Sequence, residues 1–249
     1  MAQMTIRPRI FVLAGVNGAG KSSVGGTILA DFGLTWFNPD TFSRELMATA
    51  PITKEEADAA AWTHGKTRLE AAIAGLTNFA FETRLGGNTI PRLLGEAART
   101  HDVIMIYCGL ASAEMHMARV RQRVARGGHD IPIDKIKERW VSSRINLIQL
   151  LPRLAHFQVF DNSAEAPIGQ DVPPPVLVLE FKRGKILYPE QNDFPAVAST
   201  PDWAKPIVAA AFQREDDSRE STEYPPLEGQ LTDAKHPRIV LPIRKAIAG

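Results

Sequence analysis

The segment Gly15–Ser22, GVNGAGKS, constrains this chain more than any other. Two glycines five residues apart, followed by Lys and Ser, form the pattern of a phosphate-binding loop, or P-loop. The context supports it. Arg9–Ala14 (RIFVLA) is a short apolar run without polar alternation, as in a buried parallel strand, and a helical pattern begins near Lys21 and runs to about Asp31. Each part answers to a phosphate. Gly15, Gly18 and Gly20 let backbone amides turn inward in conformations that a side chain would block. The helix opening at Lys21 presents its positive end to the same anions. Lys21 is a point charge for the terminal phosphates, and the Ser22 hydroxyl is a Mg²⁺ ligand. With Asn17, Ala19 and Ser23 these residues make the expected ATP and Mg²⁺ site.

Strand and helix patterns then alternate, which predicts parallel βαβ units. Strands are expected at Thr35–Asn38, Asn78–Thr83, Asp102–Gly109 and His156–Asp161, and a hairpin at Val176–Lys182 and Ile186–Tyr188 around Arg183-Gly184. Helices are expected over Phe42–Thr49, from Thr53 to about Leu76 with Thr53 and Glu56 at capping-box spacing, near Pro91–Thr100, from Ser112 to about Arg126, and from Pro132 to about Leu151. The expected fold is therefore α/β, a P-loop NTPase three-layer sandwich with a mainly parallel sheet, a helical lid over about 119–147 and a polar C-terminal tail. The main domain spans 1–190 and a helical extension follows over 191–212. From Gln213 the composition turns charged and proline-containing, which predicts a mobile tail over 213–249.

A P-loop does not by itself separate kinases from motor ATPases and GTPases. Three features point to a kinase. Asp40, in Asn38-Pro39-Asp40, follows the second expected strand, and ligands of open α/β sheets sit beyond carboxyl ends of strands. A carboxylate there can take a proton from an attacking hydroxyl, hold Mg²⁺ through water, or cap a helix. Glu82 and Thr83 end the third strand and could hydrogen-bond a polar acceptor. The stretch Arg119–Leu147 is rich in arginine and broken at Gly127-Gly128, so Arg126 beside the break and Arg139 in the next helix could stabilise a transferring phosphoryl group. Arg121 and Arg144 read as solvated helix surface. No apolar strand ends in a clear Walker B carboxylate, except His156–Asp161, late in the chain.

Composition removes several alternatives. The formal net charge is +1, which gives no support to nucleic acid or an anionic membrane as a partner. The single cysteine, Cys108, cannot make an internal disulfide or a zinc site, and its apolar neighbours place it in the core. The N-terminal apolar stretch is too short for a signal peptide, and no segment reaches the ~20 apolar residues of a membrane span. A cytoplasmic protein is expected.

The segments GVNGAGKSS, FNPD with Arg44-Glu45-Leu46, FETRL, RVRQRVARGGHDIP followed by IKERW and NL, and VFDNS together resemble the zeta toxin family of P-loop kinases in its shorter chromosomal form. The resemblance covers roughly Arg9 to Ser163. It implies ATP-dependent phosphorylation of a sugar-nucleotide hydroxyl, that of UDP-N-acetylglucosamine in the toxin members. It places Asp40 on the catalytic base, Lys21 on the P-loop lysine, Arg126 and Arg139 on the phosphate-stabilising arginines, and Glu82 and Thr83 on the substrate-contacting segment; Arg44, in the segment after FNPD, is a further expected substrate contact. His129 falls on a substrate contact or a lid hydrogen bond. An antitoxin-like protein partner is the corresponding expectation. The competing reading is an ATP-binding regulatory switch acting through a protein partner. A nucleic-acid repair kinase is a third, disfavoured by the near-neutral charge.

Overall fold

The computed structural model describes residues 7–22, 24–25, 35–128, 130–166 and 172–220. Ser23, His129, residues 26–31 of the expected first helix and the 221–249 part of the expected tail lie outside these.

A mainly parallel sheet organises the chain. Its strands are β1 (Arg9–Ala14), β2 (Phe79–Thr83), β3 (Asp102–Gly109), β4 (His156–Asp161), β5 (Val176–Lys182) and β6 (Lys185–Tyr188), in the order β2-β1-β3-β4-β5-β6. The first four pair in parallel, and β5 and β6 add antiparallel as the expected hairpin. β1 lies between β2 and β3, with Leu13 opposite Glu82 and Ile106. The residue types explain the placement. Ile10, Val12, Leu13 and Ala14 are all buried, as a central strand covered on both faces requires.

The helices are α1 (Pro39–Thr49), α2 (Lys54–Gly75), α3 (Thr89–Ala97), α4 (Ala113–Ala125), α5 (Ile133–Leu150), α6 (Phe194–Ala198) and α7 (Lys205–Glu220). Several begin where a side chain can satisfy the free amides of a first turn. Thr53 and Glu56 form the expected reciprocal capping box, and Ser112 caps α4 through Met115 N. The main core joins both sides of the chain. Ile10, Phe79, Met105 and Phe157 from the sheet pack in one cluster with Leu147 and Leu150 of α5 and with Trp203, Ile207 and Ala211.

Three expectations change. Thr35–Asn38 is not a strand. Phe37 makes one parallel bridge to Phe81, donating to Ala80 O at 2.8 Å and accepting from Glu82 N at 2.9 Å, before Pro39 turns the chain into α1. Helix α1 thus starts three residues before Phe42. The polar stretch from Gln213 begins inside α7, which runs to Glu220, because Ile207, Val208 and Ala211 anchor that helix in the core. Arg144 is not solvated surface. It is half-buried, its guanidinium 3.6 Å over the Trp140 ring and donating to Trp203 O at 3.3 Å. Among the described residues no helix is long and apolar enough to cross a membrane.

Candidate functional site

The loop after β1 closes as a cradle. Gly15, Gly18 and Gly20 have φ values of 139°, 83° and 80°, which an L side chain rarely adopts. Two of them also lack room. A Cβ on Gly15 would strike the Cys108 carbonyl of β3, and one on Gly20 would strike Asn162 Nδ2. Asn162 is part of the wall, because the same Nδ2 donates to Ala19 O at 2.9 Å. Cys108 is a fully buried wall residue whose thiol is pushed up to about 12 by burial, which leaves it inert as a nucleophile.

Beneath the loop lies His116, which the sequence did not single out. Its Nδ1 donates to Asn17 O at 2.8 Å. Burial pulls its pKa down to about 4, against the hydrogen bond to Asn17, so it supports the loop as a neutral imidazole. Nothing in its spacing marks it, since a histidine on the buried side of α4 reads as core.

Lys21 and Glu82 meet at the adjoining strand ends. Lys21 Nζ is 3.3 Å from Glu82 Oε1, and both side chains are at least 90% buried. Glu82 Oε2 also accepts from Asn38 Nδ2 at 2.9 Å and from Ser22 Oγ at 3.4 Å. Glu82 therefore faces the cradle. A carboxylate at the end of the strand next to β1, beside the P-loop hydroxyl, is the oxygen donor set that suits Mg²⁺, which takes one or two protein oxygens and completes its shell with phosphates and water. The site fits ATP with Mg²⁺ by its positive-φ glycines, its buried lysine and these two oxygens. Glu82, expected as an acceptor contact, comes to lie against Lys21 and Ser22 because β2 is the neighbour of β1 in the sheet. Asp161 has another use, accepting from Trp203 Nε1 at 3.0 Å and from Ser163 Oγ. Thr83 is also engaged locally. Its Oγ1 accepts from Leu85 N at 3.1 Å and holds the left-handed turn at Leu85.

Asp40 sits in the first turn of α1. The helix cap is Asn38, whose Oδ1 accepts from Asp40 N at 2.9 Å and Thr41 N at 3.1 Å, so the carboxylate of Asp40 is free for other work. It pairs with Arg84 at 2.5 Å. Arg84, in the loop after β2, was not selected from the sequence. Arg44 hydrogen-bonds within α1, to Asp40 O at 3.4 Å and Thr41 Oγ1 at 3.0 Å, with its exposed side chain on the same cleft.

Of the arginine-rich stretch, Arg139 reaches the cradle, donating to Asn17 Oδ1 at 3.0 Å. Its pKa is lowered by burial and by the Arg84 guanidinium, with Glu138, Asp40 and Asp58 opposing. This arginine is held in place. Ser142 donates to Gly86 O at 2.9 Å, Asn146 to Leu85 O at 2.8 Å and Gly87 O at 3.1 Å, and Ser143 bonds the Tyr107 hydroxyl at 2.8 Å. The second half of α5 is thus fixed to the β2 loop and to β3. Arg126 stands exposed at the turn after α4, on the rim of the cleft. Arg121 is exposed, as expected. Arg119 is a further contributor. It donates to Asn162 O at 2.7 Å and Ala164 O at 3.2 Å, fastening the loop after β4 to the cradle.

One cleft of about 1800 Å³ is lined by Gly18, Gly20, Ser22, Asp40, Arg84, Arg119, Arg126, Arg139 and Asn162. The buried Lys21–Glu82 pair adjoins it through the bond from Ser22 to Glu82.

The sequence matches no family profile and no curated protein. Among solved structures, the chain aligns with one of the native AvrRxo1-ORF1:ORF2 complex at a TM-score of 0.53 and 16% identity, over 84% of this chain and 71% of that one. The same complex with ATP aligns at 0.52 and 18% identity, over 73% and 60%. The PezAT toxin–antitoxin system of Streptococcus pneumoniae aligns at 0.46 and 14% identity, over 63% and 68%. This chain therefore spans about 60% of the length of its ATP-containing neighbour. At such identities the likeness concerns the fold, and it agrees with the α/β architecture expected from the sequence.

Proposed function

We propose that this chain is an ATP-dependent kinase that moves the γ-phosphoryl group to a hydroxyl of a small acceptor. The observation that carries the reading is the Asp40–Arg84 pair facing the same cleft as the cradle and Arg139. A carboxylate on that cleft can take the proton of an acceptor hydroxyl, and dependence of turnover on the acceptor separates this role from the orienting of a water in a switch.

Bound ATP and Mg²⁺ supply the phosphoryl group and the divalent charge that holds it. The protein does the positioning. Gly15–Gly20 amides and Lys21 hold the phosphates, and Ser22 and Glu82 are the metal-side oxygens. Asp40 orients the acceptor hydroxyl and accepts its proton. Arg139 lies against the loop where negative charge gathers as the phosphoryl group departs, and Arg126 approaches from the rim. Arg44, Glu82 and Thr83 remain the proposed acceptor contacts on the strength of the resemblance, with Glu82 at the boundary of both roles.

The resemblance to zeta toxins makes a sugar nucleotide such as UDP-N-acetylglucosamine the first acceptor to test. The fold neighbour determined with ATP supports the nucleotide. The two-component make-up of AvrRxo1-ORF1:ORF2 supports a protein partner, and with it the second reading, an ATP-dependent switch. Incubation with ATP, Mg²⁺ and a panel of sugar nucleotides, read by mass spectrometry, separates the two. A kinase yields a phosphorylated acceptor. ATP turnover that no acceptor accelerates, but a co-encoded partner protein does, would establish the switch instead.

A further inference from the structure

The hydrogen bonds around Glu82 link the phosphate cradle to the first turn of α1. Glu82 touches Lys21 through Oε1 and Asn38 through Oε2. Asn38 in turn holds the amides of Asp40 and Thr41 with its Oδ1. One amide side chain thus faces the cradle with its donor end and the base-bearing helix with its acceptor end. The backbone fixes it there, since Phe37 is bridged to β2 on both sides, at Ala80 and at Glu82. We propose that Glu82 and Asn38 form a relay by which occupation of the phosphate cradle tightens the N-terminus of α1, and that Asn38 is a positioning residue for Asp40. This rests on the kinase reading for its purpose, but not for its test.

The physical argument concerns charge. Glu82 is buried, and a buried carboxylate needs its donors. With the cradle empty, Lys21 provides most of the compensation. When Lys21 turns its ammonium to bound phosphates, more of the charge falls to the remaining donors, Asn38 Nδ2 and Ser22 Oγ. A charge-assisted bond from Asn38 then shortens and locks the orientation of its amide. The opposite end of that amide holds the first turn of α1, so the turn that carries Asp40 is ordered together with the nucleotide. A mere helix cap would predict nothing of the kind, because capping needs the oxygen of Asn38 and not its Nδ2.

Asn38→Asp separates the two ends. Aspartate caps a helix about as well as asparagine but meets Glu82 with a like charge in place of a neutral donor. Asn38→Ser is a second variant, which caps but is too short to reach Glu82. The measurement is hydrogen exchange of the α1 amides, Asp40 and Thr41 above all, with and without ATP and magnesium chloride, beside ATP affinity and thermal stability. In the wild type, ATP is expected to slow exchange at these amides about threefold or more. In whichever variant folds, ATP affinity should stay within about fivefold, and the slowing should vanish. Where acceptor phosphorylation is measurable, kcat should fall about tenfold or more with little change in the KM for ATP. Equal slowing in wild type and variant, or none in the wild type once ATP is bound, overturns the relay. Failure to phosphorylate any acceptor while the exchange result holds would sink the kinase reading and leave the relay standing.

Discussion

Arg84 Nη2 lies 2.5 Å from Asp40 Oδ1, joining the loop after β2 to the first turn of α1 across 44 residues of sequence. The pair is more than a third exposed on each side, so it contributes at most about 1 kcal/mol to stability. Its orientation matters more. Arg84 holds the carboxylate on the cleft, and the loop that carries Arg84 is itself fastened to α5, which carries Arg139.

Arg84→Gln should therefore leave the melting temperature within a few degrees of wild type and lower acceptor phosphorylation by about 10-fold or more, on the scale of a misplaced catalytic group. Arg84→Lys, which keeps the charge but not the fork, should recover part of the loss. Full activity in Arg84→Gln would show that Asp40 needs no partner.

Asp40→Asn tests the base itself. The cap of α1 is Asn38, so this change costs the helix little. ATP should bind near normally, while acceptor phosphorylation falls by the ~10²–10⁴-fold of a lost general base. A loss of ATP·Mg²⁺ affinity instead would move Asp40 to the metal side of the site. Undiminished phosphorylation would remove it from the chemistry.

Lys21→Ala should reduce phosphotransfer by ~10² or more, the scale of a lost preorganised contact. It should also destabilise the fold, because Glu82 is left buried without its cation. Removing one partner of a buried pair costs about 3 kcal/mol or more. Lys21→Ala with Glu82→Gln should recover much of that stability and none of the activity. If the single variant is as stable as wild type, the Lys21–Glu82 pair is not what keeps Glu82 in place.

Arg139 and Arg126 should differ. Arg139 bonds Asn17, so Arg139→Ala should lower kcat and also weaken ATP binding. Arg126→Ala, at an exposed turn, should lower kcat with ATP affinity intact, as a contact made while the phosphoryl group moves would do. Steady-state kinetics with direct nucleotide binding distinguishes the two, and an Arg126→Ala enzyme with unchanged kcat would make that residue solvated surface.

What the sequence revealed followed local rules. The cradle was legible because a P-loop needs residue types at fixed spacing, and the sheet because β1, β3 and β4 are apolar runs between helical patterns. The capping box at Thr53 was legible for the same reason. What stayed hidden depends on which elements become neighbours. Glu82 is legible as an acceptor contact at a strand end, but its bonds to Lys21 and Ser22 follow from β2 lying beside β1. Arg84, Arg119 and His116 have no distinguishing spacing, and each acquires its role from a partner 40 residues or more away in the chain. Thr35–Asn38 has strand-like residues, yet Pro39 ends its pairing after one bridge, and the same proline with Asn38 starts the helix earlier than its apolar residues suggest.

His116 gives a prediction in pH. Its pKa in the folded protein is about 4, against 6.5 for an ordinary histidine, chiefly because burial disfavours the imidazolium, with Lys21, Arg119 and Arg144 adding like charge. The unfolded chain therefore binds this proton at a higher pH than the folded one does. Above pH 6.5 neither state holds it, and His116 has no effect on the pH dependence. As pH falls from 6.5 toward 4 the unfolded state gains the proton first, and stability is lost. The shift corresponds to roughly 3 kcal/mol at most, by 1.36 kcal/mol for each unit. His116→Asn can still donate to the Asn17 carbonyl but does not titrate. Denaturant unfolding of both proteins between pH 7 and 4 should show wild type losing about 2–3 kcal/mol more than the variant over this range. Other titrating groups cancel in the difference, since they are common to both. Parallel curves would mean that His116 is solvated enough to charge in the folded state, and that the cradle does not rest on a neutral imidazole.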